Sequence, residues 1–550
     1  MASSKSLDPK SGYCSSTRIY HSLRPSVPLP PESAPVSISD AVISFLHSST
    51  GTTSLDSVPA FINSGTGESI SYSLFLQQIR SLSSALRRGI PGSPPIRKGD
   101  IALILSPSSL RVPVLYFSLL SIGAVVSPAS PLLSDSELAH IVSLVKPTVA
   151  FAVSSFSPSR LAAVPTVFID SPEFESLLNG NESDLVDSVV ISQSDRAAIL
   201  FSSGTTGKMK GVEMTHRNLI ALISGLYYSP RERKADGPSV PLFTLPLFHV
   251  FGMFMMLRAV AMAETSVLLA KFTLEGMLST VEKYKVTYMP VSPPVVVLLV
   301  KSELTEQYDL RSLESIGSGG AALSESVARR FKAKFPWIDC IQGYGLTETC
   351  GVAARPFSPE EGERYGSVGH LAEQMQAKIV DPSTNEPLPP GERGELWLKG
   401  PTIMKGYIGD EESTKATFSD GWLKTGDICY FDAEGFLYIV DRLKELIKYK
   451  GYQVPPVELE NVLLSHPQVA DAAVVPYPDE VAGQIPMAFI VRQPGSSVTS
   501  IEIMDFVAKE VSPYKKIRRV VFIKAIPRSP AGKILRRELV SQAVSASSRL

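Results

Sequence analysis

From about residue 36 onward, short apolar runs alternate with stretches of helical pattern. Ile101-Ala102-Leu103-Ile104-Leu105 reads as a strand, Val112 to Leu120 as a helix, and Ala124-Val125-Val126 as a strand again. This β–α–β alternation predicts parallel sheets covered by helices. A further run, Ala197-Ala198-Ile199-Leu200-Phe201, ends in a Gly/Ser/Thr/Lys cluster and predicts a buried strand feeding a tight turn. Trp422 to Val440 reads as strands and turns. At Asp441-Arg442-Leu443-Lys444 the composition shifts to a basic stretch, a helical pattern from Pro456 to Leu464, and a small α+β region. Residues 1–35 are rich in Ser and Pro, the pattern of a flexible terminal segment, and Arg231 to Gly237 reads as a solvated charged loop. No internal repeat is visible. No apolar run reaches the roughly 18 residues of a membrane helix: Val112 to Val126 is too short, and Arg258 and Glu264 interrupt the segment after His249.

Composition narrows the classes. A chain of 550 residues calls for more than one domain. With 44% hydrophobic and 19% charged residues it is globular rather than disordered. Its 53 Lys and Arg against 54 Asp and Glu leave a net charge of −1, which gives no global drive toward nucleic acid or anionic lipid. Cys14, Cys340, Cys350 and Cys429 lack metal-site or disulfide-framework spacing and read as reduced thiols. Asn181-Glu182-Ser183 has the form of a glycosylation sequon, but no secretory signal is seen at the N-terminus, so it reads as a polar loop.

The most informative segment is Ser202-Ser203-Gly204-Thr205-Thr206-Gly207-Lys208-Met209-Lys210-Gly211. Glycines let backbone N–H groups approach an anion, hydroxyls donate further bonds, and lysine offsets charge, so the loop suits a polyphosphate. It is not the common G-x4-G-K-[ST] loop, because Ser202 and Met209 break that pattern. Together with motifs downstream, in order from about residue 30 to the C-terminus, the segment resembles the adenylate-forming superfamily of acyl-CoA synthetases, 4-coumarate:CoA ligases and luciferases. Asp441-Arg442-Leu443-Lys444-Glu445-Leu446-Ile447-Lys448-Tyr449-Lys450-Gly451 is most similar to the plant 4-coumarate:CoA ligase-like branch. The resemblance implies an α/β fold with a large multi-sheet N-terminal domain (36–441) and a small mobile α+β lid (442–550) hinged at Lys444.

Joining a carboxylate to AMP brings two anions together, so such an enzyme needs an anion cradle, a divalent ion, a movable cation and a ribose anchor. The loop offers the cradle through Ser202, Ser203, Gly204, Thr205, Thr206, Gly207 and Lys210. Glu348, in Gln342-Gly343-Tyr344-Gly345-Leu346-Thr347-Glu348, suits Mg²⁺, which is usually held by one carboxylate plus phosphate oxygens and water. Asp427, in Thr425-Gly426-Asp427, is the candidate ribose anchor. The resemblance adds Arg442 as a second ribose or phosphate contact. It also places Gly320, Ala321, Ala322, Gln342, Gly343, Tyr344, Gly345 and Thr347 along the nucleotide, with Tyr344 against adenine and Thr347 on the α-phosphate. It makes Lys533, in Pro527-Arg528-Ser529-Pro530-Ala531-Gly532-Lys533, the lysine bridging carboxylate and α-phosphate. It assigns Lys448 to the thioester step, Lys450, Gly451 and Gln453 to coenzyme A, and His249 to the mouth of the acyl site.

The implied activity is an ATP-, Mg²⁺- and coenzyme A-dependent acid:CoA ligase. The pocket segments Val250-Phe251, Ser318-Gly319, Gly345, Cys350 and Val352 are small or apolar. Phe251 stands where coumarate ligases carry a tyrosine, and it has no hydroxyl for a phenolic substrate, which predicts a hydrophobic acid: a fatty acid, a jasmonate precursor or cinnamate. The alternatives are a true 4-coumarate:CoA ligase, a luciferase-like oxygenase sharing the adenylation motifs, and an inactive acyl-adenylate-binding protein. The last would have lost Lys533 or Glu348, and both are present. Ser548-Arg549-Leu550 is a variant of the peroxisomal S-K-L tripeptide, so a peroxisomal import receptor is an expected partner, with the cytoplasm as the other address.

Overall fold

Apolar strands buried on both faces need helices on both sides, and the strand Ile101–Leu105 illustrates this. It lies within a seven-stranded sheet ordered Gly406–Tyr407, Lys210–Thr215, Arg196–Ser202, Val125–Ala129, Ile101–Leu105, Val149–Ala152 and Thr166–Phe168. The last five run parallel, as the alternation predicts. Lys210–Thr215 pairs antiparallel with Arg196–Ser202, so the polyphosphate-type segment joins two neighbouring strands of this sheet. The computed structural model describes residues 7–161, 164–180, 189–202, 209–229, 237–269, 271–450, 452–529 and 532–547. Residues 203–208 of that loop, the sequon, nearly all of the 231–237 connection, Gly451 and the C-terminal tripeptide lie outside this set.

The helix Val250–Ala261 is apolar almost all round and is correspondingly buried. It faces a three-stranded parallel sheet, Tyr288–Val291, Ser315–Ser318 and Asp339–Gln342. A third, antiparallel sheet carries Trp422–Phe431 beside Leu437–Arg442. Its far edge is Tyr13–Cys14 and Ile19–His21. Tyr13–Cys14 and Ile19–His21, within the segment expected to be flexible, thus lie in the sheet. Tyr20 is 1% exposed and stacks on Phe431 with ring centroids 4.0 Å apart, so it is part of the core despite its Ser/Pro-rich surroundings.

After Arg442 the chain builds a separate five-stranded sheet from Ile447–Tyr449, Tyr452–Val454, Val469–Asp479, Gly483–Arg492 and Arg519–Phe522. The helix Pro456–Ser465 covers it and buries Leu459 and Leu463 in a core of its own. Among the described residues all four cysteines are buried free thiols, and no helix is long and apolar enough to cross a membrane.

Candidate functional site

Strand register sets the first pair. Asp427 lies opposite Arg442 on neighbouring antiparallel strands, and Arg442 Nε is 3.1 Å from Asp427 Oδ1. The other carboxylate oxygen accepts from the Tyr344 hydroxyl at 2.6 Å. Thr425 fixes the turn by donating to the Leu396 carbonyl and accepting from Asp427 N–H. Burial raises the Asp427 pKa, and the Arg442 charge opposes that rise. The same carboxylate, with burial, holds Tyr344 well above the usual phenol range. Asp427 and Arg442 therefore meet, and the hydroxyl of Tyr344 is tied to the same carboxylate.

Lys533 enters this cluster from the C-terminal sheet. Its backbone N–H donates to Ser529 Oγ at 3.2 Å and its carbonyl accepts from Ser529 N–H at 2.8 Å. Arg528 braces the turn by donating to the Gly532 carbonyl at 2.9 Å while pairing with Asp471 at 2.8 Å. Burial and the nearby Arg442 lower the Lys533 pKa, while Glu445, Asp427 and Glu348 oppose that shift. One cation thus stands among the candidate ribose anchor and the candidate metal ligand.

Glu348 is the middle residue of a short 3₁₀ turn, Thr347–Thr349. Its Oε1 accepts from the Tyr407 hydroxyl at 3.0 Å, and the Lys210 ammonium lies 4.6 Å from the centre of the Tyr407 ring. Since Tyr407 pairs with Val212 on the hairpin strand, the metal candidate sits at the foot of the polyphosphate-type loop. Among the described residues, Ser202 Oγ, the first hydroxyl of that loop, is buried without a hydrogen-bond partner, as suits a donor for an anion. A lone carboxylate there fits Mg²⁺, whose remaining ligands would be phosphate oxygens and water.

His249 caps the helix Val250–Ala261, its Nδ1 accepting from Phe251 N–H at 3.3 Å. Burial and the charge of Lys533 lower its pKa to about 4, so it is neutral at pH 7. It opens onto a cavity of about 200 Å³ between that helix and the three-stranded parallel sheet. Val250, Phe251, Ser318, Gly319, Gly345 and Val352 line this cavity. Cys350 does not belong with them. Its left-handed backbone (φ 56°) turns the thiol into the main core, where it is fully buried and where burial pushes its pKa up. Gln342, oriented so that its amide pairs with Leu323 N–H and C=O at 3.3 Å each, braces the loop holding Gly320, Ala321 and Ala322.

Lys448 and Gln453 face each other across the hairpin of Ile447–Tyr449 and Tyr452–Val454, and both are exposed, as are Lys450 and Lys444. The structure brings Lys533 to the cluster and leaves these residues outside it. Sequence reasoning missed Tyr407, Tyr288 and the lining role of Arg258. Helical spacing from Phe251 to Met255 and Arg258 would have found the last, whereas the two tyrosines have no local signal.

The description "AMP-binding enzyme" matches residues 53–408, and "AMP-binding enzyme C-terminal domain" matches 458–533. The chain is 56% identical to 4-coumarate–CoA ligase-like 9 of Arabidopsis thaliana over 99% of its own length and 98% of that protein's. It is 41% identical to peroxisomal OPC-8:0-CoA ligase 1 of the same plant, covering 98% of this chain and 99% of that one. Among solved structures, the o-succinylbenzoate coenzyme A synthetase of Bacillus subtilis in complex with ATP and magnesium ion superposes with a TM-score of 0.77 at 27% identity, over 90% of this chain and 98% of that one. Glu348 comes from the first matched segment and Lys533 from the second, and since the first alone spans more than half of the sequence, the chain belongs to the AMP-binding enzyme family.

Proposed function

We propose that this AMP-forming acid:CoA ligase takes a hydrophobic carboxylic acid into the cavity behind His249 and performs both half-reactions at one site. A carboxylate oxygen attacks the α-phosphorus of ATP and pyrophosphate departs. The thiol sulfur of coenzyme A then attacks the acyl carbon and AMP departs. The observation that carries the reading is the position of Lys533, half-buried and within electrostatic reach of Arg442, Glu445, Asp427 and Glu348. There its ammonium offsets the repulsion of carboxylate against phosphate and the charge developing in the transition state.

The roles follow from the groups available. Asp427 accepts from the ribose hydroxyls, Arg442 favours the ionised form of that carboxylate against the effect of burial, and the hairpin loop with Ser202 and Lys210 cradles phosphate. Glu348 holds Mg²⁺, which supplies charge neutralisation at the phosphates, and Tyr407 orients that carboxylate. His249, being neutral, can accept a hydrogen bond at the acyl-site mouth without adding charge beside Lys533. The Phe251 ring gives a phenolic acid no partner.

The second half-reaction calls for the residues after Lys444 to turn as a lid, withdrawing Lys533 and presenting Lys448, Lys450, Gly451 and Gln453. We place the boundary between the catalytic domain and this lid at residues 441/442. Ser548-Arg549-Leu550 addresses the chain to the peroxisome, a reading supported by the name of the 41% identical relative.

The test is ATP- and CoA-dependent thioester formation across fatty acids of several lengths, cinnamate, 4-coumarate and a cyclopentanone octanoate, with wild type beside Lys533→Ala. Thioester from the apolar acids and a loss of acyl-AMP formation in the variant is the expected result. Coumarate as the best acid, or full adenylation in the variant, would refute the assignment of Phe251 or of Lys533.

A further inference from the structure

The turn that carries Lys533 rests on one helix from another part of the chain, Pro293–Lys301, which follows the strand Tyr288–Val291. Two prolines open this helix at positions where a backbone N–H would have no helical partner. Val295, Val296 and Leu299 then enter the core beside the three-stranded parallel sheet. At the other end Lys334, the last residue of the helix Glu325–Lys334, donates to the carbonyls of Leu299, Val300 and Ser302 at 3.1, 3.3 and 2.8 Å. Carbonyls of the last turn are thereby satisfied. The helix is held by its apolar face and by its C-terminus, so it can serve as a rigid support.

Ser292 precedes the helix as its N-cap, is 7% exposed, and makes no capping hydrogen bond with its side chain. The backbone of Gly532 lies against that side chain instead. A Cβ on Gly532 would stand 2.7 Å from Ser292 Oγ and 2.8 Å from Ser292 Cβ, closer than packed atoms come. Gly532 also has a left-handed backbone, φ 82°. Glycine is therefore required there twice, once for the turn and once for the approach to Ser292. Lys533 is the next residue, so the depth at which Gly532 comes to rest sets how far Lys533 reaches.

A second contact lies at the opposite end of the same helix, about 14 Å away by its rise. There Lys301 donates to the carbonyls of Val469 and Ala470 in the C-terminal sheet, the latter at 3.2 Å. The two contacted segments are themselves joined. Asp471, the residue after Ala470, pairs with Arg528 at 2.8 Å, and Arg528 donates to the Gly532 carbonyl at 2.9 Å. Helix, Lys301, the Ala470–Asp471 strand, Arg528, Gly532 and Ser292 thus form a closed ring of contacts. One contact would leave the C-terminal sheet able to pivot, whereas two at this separation fix its direction as well.

Resting on the ligase reading above, we infer that Ser292 is a positioning residue for adenylation: a small stop against which the Gly532 backbone seats, so that Lys533 arrives at the nucleotide cluster at one depth. Lys301 is the second anchor of the same seat. What Ser292 contributes is its small volume rather than its hydroxyl, because the contact is one of close approach. The seat serves only the half-reaction that uses Lys533. Thioester formation, with Lys533 withdrawn, does not need it.

The experiment reads the two half-reactions separately, using the acid that gives most thioester in the panel above. Acid-dependent ATP–pyrophosphate exchange reports adenylation, and thioester formation from supplied acyl-AMP and coenzyme A reports the second step. Gly532→Ala drives a methyl group into Ser292 and should lower exchange by about 5-fold or more, as overpacking a close contact does, with the second step largely kept. Alanine in a left-handed turn carries strain of its own, so the deciding variant combines Gly532→Ala with Ser292→Gly. That change removes both atoms the methyl group meets and should restore exchange by about 3-fold or more, whereas backbone strain alone would not respond to residue 292. Ser292→Leu presses on the same contact from the other side and should give the same selective loss with Gly532 intact. Unchanged exchange in Gly532→Ala, no recovery in the double variant, or equal loss in both steps would each overturn the inference. Any of these beside an active wild type removes the seat and leaves the ligase reading standing; a wild type that makes no thioester from any acid removes both.

Discussion

Arg442→Met removes the nearest cation from a buried carboxylate. Arg442 Nε stands 3.1 Å from Asp427 Oδ1, with the aspartate side chain 4% exposed and the arginine 34%. Two unit charges at that separation attract by about 5 kcal/mol at an effective dielectric of about 20, and by about 1 kcal/mol in water. Because Arg442 keeps contact with solvent, screening places the loss on deleting it between these limits, at about 2–3 kcal/mol at pH 8. Burial already raises the Asp427 pKa, and loss of Arg442 raises it further. A raised folded-state pKa means that the folded protein binds the extra proton, so stability is held at low pH and lost as pH climbs through that value. The deficit of the variant should therefore grow as pH rises through the folded-state Asp427 pKa, with pH 5 and pH 8 as the two measured points. The assay is denaturant unfolding of wild type, Arg442→Met, Asp427→Asn and the double variant at both pH values. Asparagine still accepts the Tyr344 hydroxyl but carries no charge, so the double variant should recover most of the loss while adenylation stays impaired. A double variant no more stable than Arg442→Met, or a deficit independent of pH, would refute the electrostatic argument.

Fully buried His216 offers a second pH test. Burial lowers its pKa from 6.5 to about 4, so its contribution is full above pH 6.5 and declines as pH falls to 4, by about 3 kcal/mol. Chemical denaturation at pH 7 and pH 4 should show a smaller drop in His216→Gln than in wild type. Gly345→Ala would drive a Cβ into the Gly351 carbonyl oxygen across the hairpin Tyr344–Leu346/Gly351–Arg355, and should cost several kcal/mol in unfolding free energy or abolish soluble protein. Lys301, on the helix Pro293–Lys301, donates to the carbonyls of Val469 and Ala470 and so ties that helix to the C-terminal sheet. Lys301→Met should speed hydrogen exchange in Val469–Asp479 and slow adenylation several-fold, while sparing thioester formation from supplied acyl-AMP.

Where the chain repeats a local pattern, its sequence was sufficient. The runs at 101–105 and 197–201 became strands because an uninterrupted apolar run has no stable place except inside a covered sheet. Asp427 and Arg442 were legible as separate motif residues, and strand register then put them face to face. Misreadings arose where the decisive partner is remote. Tyr13–Cys14 and Ile19–His21 look like a polar terminus until the strand Gln376–Val380, more than 350 residues later, supplies the sheet they complete. Cys350 has the right neighbours for a pocket, but one left-handed residue reverses its side chain. Tyr288 gains its place only through the register that sets it beside Gly317.

The hairpin beyond Lys444 shows how a local pattern constrains a larger movement. Ile447 and Val454 pair across it and are fully buried, so strand alternation sends their neighbours Lys448 and Gln453 to the opposite face. These two are thus a cross-strand pair, and no rotation of the C-terminal sheet can present one to the catalytic cluster without the other. Lys533 reaches that cluster from a turn braced separately, by Arg528 on Asp471 and on the Gly532 carbonyl. In the lid movement proposed above, exchanging Lys533 for that pair then calls for the C-terminal unit to turn as a whole about the residues near Lys444, because moving either segment alone would break the Ile447–Val454 pairing or the Arg528 brace.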